Sequence, residues 1–302
     1  MQEILTRAGC FIAVILLGYV LRRIGMFGES DFRTLSKIVV KITLPAAIVS
    51  SFKGKEIDPA MLSIALIGLG GGLIYMLIAY LLNRKNGKEQ QAFEIINTSG
   101  YNIGNFTLPF VQSFVGPVGV ITTSLFDTGN ACVCLGGAYS VASMIKGGSH
   151  FSVITIAKKL VRSVAFDCYI IMLMTNLAHI PVPDAVFSFA EIIAGANAFA
   201  AMFMIGVGFR LSGDRKQITS VARILTVRYS VALVIGLCCY FLLPFSQEIR
   251  QTLLILPFAP IASAAPAFTE ELKGDVGLAS AVNSISILCS IVIIVLILLI
   301  TV

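Results

Sequence analysis

Apolar runs of about twenty residues recur along this chain, and an α-helix of that length matches the roughly 30 Å hydrocarbon core of a bilayer. The runs fall at 8–21, 35–52, 60–82, 92–114 and 118–144, then at 156–178, 185–209, 222–243, 252–268 and 276–301. Between them lie short clusters such as RRIGMFGESDF, NRKNGKEQ, IKGGSH, HIPVPD and RLSGDRK, rich in charge, Gly and Pro. The pattern predicts an all-α polytopic membrane protein with ten transmembrane helices.

Composition strengthens that reading, since 57% of the 302 residues are hydrophobic and only 13% charged, well outside the range of soluble domains. The net charge of +6 gathers on no basic face or aromatic-basic module, which argues against nucleic acid as a partner. It sets a topology instead. Seventeen of the 22 Lys and Arg fall in odd-numbered connections or their flanks, among them Arg22, Arg23, Lys85, Arg215, Arg223 and Arg228. Short basic loops stay in the cytoplasm, so both termini are expected outside it, in a multi-pass protein of the cell inner membrane. The positive cluster Arg22–Arg23 follows the first run, opposite to the order in a cleaved signal peptide. All seven cysteines lie in apolar runs without zinc-ligand spacing and read as small core residues. No cofactor and no metal are expected.

Ten runs invite a search for repeats. LPFVQSFVGPVGVIT, ending run four, aligns with APAFTEELKGDVGLAS, ending run nine, so that Pro109 meets Pro266 and Gly116 and Gly119 meet Gly274 and Gly277. Residues 1–145 and 146–302 then form two five-helix repeats. Because five is odd, the repeats have opposite orientation, the inverted plan of secondary transporters. A proline removes a backbone donor and clashes with the preceding turn, so Pro109 and Pro266 are expected to mark two broken crossover helices. Irregular backbone at membrane depth survives only inside protein or against a wet cavity. That explains the polar stretch NIGNFTLPF, where Asn102, Asn105 and Thr107 are placed to satisfy freed backbone or to face a ligand. Half-helix N-termini converging there suit an anion.

These residues resemble the auxin efflux carrier family, which includes plant PIN proteins and bacterial organic-acid carriers of similar length. The resemblance spans essentially the whole chain. It rests on the five-plus-five layout, Asn102 to Pro109 in run four, Pro266 in run nine, and MFMIGVGFRLS closing run seven. It implies a fold like that of bile acid:sodium symporters, with helices 1, 2, 6 and 7 as scaffold and helices 3–5 and 8–10 as a mobile crossover bundle. It further implies a homodimer, elevator-like alternating access, and a substrate carboxylate met by Asn102 or Asn105 and by Asn283. Thr107 stands where family members commonly carry glycine, and the proline often found in run seven is absent near Asn197. The activity expected is secondary transport of a small mono- or dicarboxylate across the membrane, not enzymatic catalysis.

Asp127 lies within VITTSLFDTGNACV, where an intramembrane carboxylate is by default functional. Thr123, Asp127 and Asn130 follow one helix face. Their carboxylate, hydroxyl and amide oxygens suit a coupling sodium ion or proton. The Asp-Thr-Gly triplet at this place also raises an enzymatic alternative, an intramembrane aspartyl protease using Asp127. That chemistry needs two carboxylates sharing a proton, and the triplet has no second copy, Asp167 being the other acid well inside a run. GLGGGL at 68–73 lies within run three and reads as a close-packing surface, not a nucleotide loop.

Overall fold

In the computed structural model, residues 2–148, 160–209 and 217–301, with 154 and 158, are described. Their regular structure is helical, and no strand longer than a single bridge occurs among them. The first helix is α1 (Gln2–Arg23). The second segment joins α2 (Glu29–Ile38) to α3 (Leu44–Ser51) through a wide π-helical turn, Val39–Thr43. Helix α4 (Ser63–Asn83) follows, then α5 (Lys88–Ser99), a second wide turn at Ile103–Thr107, and α6 (Leu108–Phe114). Helix α7 (Pro117–Cys132) continues through a third wide turn, Val133–Gly137, into α8 (Ala138–Ile145).

The remainder comprises α9 (Val164–Leu177), α10 (Asp184–Ala194), α11 (Asn197–Gly208) and α12 (Ile218–Leu242). It ends with α13 (Gln247–Ile255), α14 (Ala265–Glu271) and α15 (Val276–Thr301).

Among the described residues seven helical segments are long and apolar enough to cross a membrane. The other three of the ten predicted runs differ for identifiable reasons. Runs 92–114 and 252–268 are each two half-helices around irregular backbone. Run 156–178 is helical over Val164–Leu177, and most of its first residues lie outside the described set.

Apolar side chains point outward along these segments, as with Ile300 at 83% and Ile192 at 79% exposure. Polar side chains such as Thr123, Asn130 and Asn197 are buried. This inversion of the soluble pattern is what a lipid solvent imposes.

Small residues bring two helix pairs into backbone contact. A Cβ at Gly206 of α11 would lie 2.0 Å from the Ile15 carbonyl oxygen of α1. Between α4 and α7, a Cβ at Gly68 would lie 2.0 Å from the Phe126 oxygen, and one at Gly129 would lie 1.8 Å from the Ala65 oxygen. The glycine-rich stretch of run three is therefore a packing surface.

Two wide turns share one cause. Pro45 and Pro109 sit in the first turns of α3 and α6, and neither can donate to the carbonyl four residues earlier. The preceding amides reach one residue further, from Leu44 to the Val39 oxygen and from Leu108 to the Ile103 oxygen.

Candidate functional site

The two interrupted segments meet at their irregular backbones. Helix α5 ends at Ser99, and Gly100 is extended (φ −80°, ψ 157°). Helix α13 ends in a tight turn, Leu256–Phe258, after which Ala259 is extended (φ −54°, ψ 145°). Tyr101 and Ile261 pair as an antiparallel bridge. The Asn102 N–H donates to the Pro260 oxygen at 2.9 Å and the Ala262 N–H to the Gly100 oxygen at 3.2 Å. Gly100 is required for this approach, because a Cβ there would lie 2.8 Å from the Ala262 Cβ and 3.1 Å from the Cys134 Cβ.

Side chains satisfy the backbone groups that the bridge leaves over. Asn130 of α7 clamps Tyr101, accepting its N–H at 3.1 Å and donating to its carbonyl at 3.0 Å. On the other segment the Ile261 N–H donates to Ser286 Oγ at 3.1 Å, and Asn283 Nδ2 donates to the Ala262 oxygen at 3.2 Å. Arg228, midway along α12, donates to the carbonyls of Thr98, Ala259 and Pro260. Its guanidinium lies 5.0 Å from the Tyr75 ring centre and 5.2 Å from that of Tyr101.

Truncating the Asn130 clamp leaves two buried peptide groups unpaired, each costing about 1–3 kcal/mol. Asn130→Ala is therefore expected to lower thermal stability sharply while Asn176→Ala, at the protein periphery, lowers it less. Equal melting shifts on heating purified protein would show that the clamp contributes little.

A cavity of about 330 Å³ opens beside the bridge. Asn102, Asn105 and Asn283 all line it, with Ser263, Pro266 and Ala267 from the second segment and Phe32, Met204 and Phe209 as apolar wall. Arg22 and Glu270 also line it. Asn105 Nδ2 lies 3.5 Å from Ser263 Oγ, while its Oδ1 is buried without a partner. Turned about its terminal bond, the same amide would accept from Ser263 and present its N–H groups at the unpaired position. The site therefore holds an adaptable amide with one end unspent.

The other expected site residues are placed differently. Thr107 is fully buried and does not line the cavity; its N–H and Oγ1 both approach the Asn102 carbonyl at 3.4 Å. It shapes the turn that carries the asparagines. Pro109 and Pro266 open the downstream half-helices, so the irregular backbone lies upstream of both. Only Pro266 of the two lines the cavity.

Asp127 faces a separate cavity of about 60 Å³ with Leu44, Ser124, Thr128, Ser163 and Tyr169. Asn130 Nδ2 donates to Asp127 Oδ1 at 2.7 Å. Both ends of the Asn130 amide are thus engaged, its oxygen by the Tyr101 N–H and its nitrogen by Asp127 and the Tyr101 carbonyl. Thr123 Oγ1 is buried, unpartnered and outside this cavity. Of the expected trio, the structure joins Asp127 to Asn130 and sets Thr123 apart. Among the described residues no other carboxyl group lines the Asp127 cavity, so they offer no second member for a protease dyad. Among the described residues no three His, Cys, Asp or Glu side chains cluster to hold a metal.

Arg228 is the functional candidate that the sequence reading assigned to a basic connection. It belongs to α12 and is 0% exposed. Arg223, assigned likewise, lies in the same helix and pairs with Glu94. Arg210, Arg215 and Lys216 lie outside the described residues. A position six residues past the start of the predicted run 222–243 was the available signal for Arg228, but a count of loop charges does not use depth.

A helical membrane protein with an amide-lined cavity beside two interrupted, interlocked segments has the build of a membrane transporter. The chain belongs to the membrane transport protein family, that of the auxin efflux carriers, whose model matches residues 10–298. It is also similar to an uncharacterized transporter of Methanothermobacter thermautotrophicus, 26% identical over 122 residues, which cover 39% of this chain and 40% of that protein. The match thus spans well under half the length of that relative.

Proposed function

We propose that this transporter is a secondary carrier of small organic anions, working by elevator-like alternating access, with the cavity beside the bridge as its substrate site. The observation that carries the reading is the convergence of Asn102, Asn105, Ser263 and Asn283 on one cavity at the meeting of the interrupted segments. Neutral amide and hydroxyl groups can hold a carboxylate without making its release costly. The helical stretch 103–114 begins at the cavity, so its first backbone N–H groups lie beside the asparagines.

The likeness of the two interrupted segments supports the inverted five-plus-five repeat, divided between residues 145 and 146. On this plan α1 to α3 and α9 to α11 are the scaffold, both termini are extracytoplasmic, and the carrier works as a homodimer. Asp127 is the coupling group. It is supported in that role by its position in a small cavity between the bundle helix α7 and the scaffold helices α3 and α9, where a carboxylate must exchange a proton or cation to change surroundings.

The test is uptake of radiolabelled mono- and dicarboxylates into proteoliposomes, with and without proton and sodium gradients. Asn105→Ala is expected to weaken binding of the transported anion by about 1–3 kcal/mol, roughly five- to 150-fold in affinity, since its partner is left buried and unpaired. Unchanged affinity in the Asn102, Asn105 and Asn283 alanine variants would mean that the amides only brace the helices.

A further inference from the structure

Four helix ends meet at the crossing. Helix α5 and the 247–258 segment end there, while the 103–114 segment and α14 begin there. Each end carries about half an elementary charge, negative where a helix ends and positive where one begins. The backbone alone therefore sums to nearly zero. Interrupted helices by themselves give the cavity no preference for an anion.

Arg228 breaks that balance. Its guanidinium caps Thr98 at the end of α5 and Ala259 and Pro260 just beyond the 247–258 segment, the two negative ends. It is wholly buried, and among the described residues it forms no ion pair. Its neighbours are carbonyl oxygens and the faces of Tyr75 and Tyr101, whose rings favour a cation. Tyr75 Oη in turn donates to the Arg228 carbonyl at 3.0 Å, fixing the helix at this level. Burying a guanidinium without a carboxylate is costly, and carbonyls need no full charge to be satisfied, since a neutral amide can also donate to them. The charge itself has a use. Pro260 places it one peptide group from the site, because its carbonyl accepts from both Arg228 and the N–H of cavity-lining Asn102.

We infer that Arg228 is a specificity-determining residue: by neutralising the two negative helix ends it leaves the crossing with a net positive field, which selects anions in the adjoining cavity. The inference rests on the reading of that cavity as the substrate site, and its test needs no identified substrate. Ser263 is exposed in the cavity. In a Ser263→Cys protein, reaction rates with anionic and cationic methanethiosulfonates, followed at that peptide by mass spectrometry and normalised to a free thiol, report the local potential.

The anionic reagent is expected to react preferentially. Adding Arg228→Gln should lower the anionic-to-cationic ratio by about tenfold or more, as loss of one poorly screened charge requires. Arg228→Lys should keep the ratio within about twofold. An unchanged ratio in Arg228→Gln overturns the inference, and so does an equal fall in both variants, which would assign the effect to geometry.

If the Gln variant yields no folded protein, Arg22→Gln decides, since Arg22, unlike Arg228, is a basic side chain that lines the cavity itself. Retention of the anion preference supports Arg228, and its disappearance transfers the role to Arg22. Carboxylate uptake with no anion preference in the cavity would sink this inference alone, whereas anion preference without uptake of any carboxylate would sink the transport reading alone.

Discussion

Gly129→Val is expected to abolish accumulation of folded protein. The first added carbon would lie 1.8 Å from the Ala65 oxygen and 2.6 Å from the Leu69 nitrogen, both backbone atoms of α4. Helix α4 cannot move aside locally, because Gly68 holds it equally close to the Phe126 oxygen of α7. The whole interface would have to open. Ordinary overpacking costs about 1–3 kcal/mol, and here the added strain displaces the next residue, Asn130, from its clamp on Tyr101. Those losses together approach the roughly 5–15 kcal/mol by which a protein is stable at all. Gly70→Val is the matched control, since nothing lies within 4 Å of a Cβ there. Size-exclusion profiles of detergent extracts decide the matter: a monodisperse Gly129→Val peak with wild-type melting would refute the backbone-contact argument.

Asp127→Asn is expected to abolish gradient-driven accumulation while leaving passive exchange of substrate. The substitution preserves shape and removes the charge that a coupling group must gain and lose. The proposed anion contacts line a different cavity, so binding should persist. If sodium is the coupling ion, it stabilises wild type by RT ln(1 + [L]/Kd) and the variant less. Equal stabilisation rejects a sodium role. Full gradient-driven transport by the variant rejects coupling by proton or cation alike, and leaves Asp127 as a partner for Asn130.

Long uninterrupted helices were legible because hydropathy alone determines them in lipid. Runs 60–82 and 222–243 correspond closely to Pro59–Asn83 and Ile218–Leu242. The interruptions were legible as polar stretches, but not where the backbone actually leaves the helix. Proline was the visible sign, yet Pro109 is accommodated within the helical stretch 103–114 by the wide turn before it, and the backbone leaves the helix further upstream. The departure at Gly100 depends instead on a partner segment far away in sequence. The same long-range cause separates the asparagines from Thr107 and Thr123. Helical spacing placed Thr123 beside Asp127, whereas what each side chain faces is set by neighbouring helices. Arg228 was hidden for a related reason, since a charge near a span's end usually reaches for water, and nothing local shows that this one turns toward three carbonyls.

The bridge between Tyr101 and Ile261 has a consequence for biogenesis. More than half the chain separates these residues, so the first interrupted segment reaches the membrane well before its backbone partner has been synthesised. Until then the Asn102 N–H and the Gly100 carbonyl lack the Pro260 and Ala262 groups that pair with them. The amino-terminal half consequently cannot complete its own interior in lipid. Completion of the crossing has to wait for the second half, so the nascent first half is the stage at which polar backbone is left without its partners.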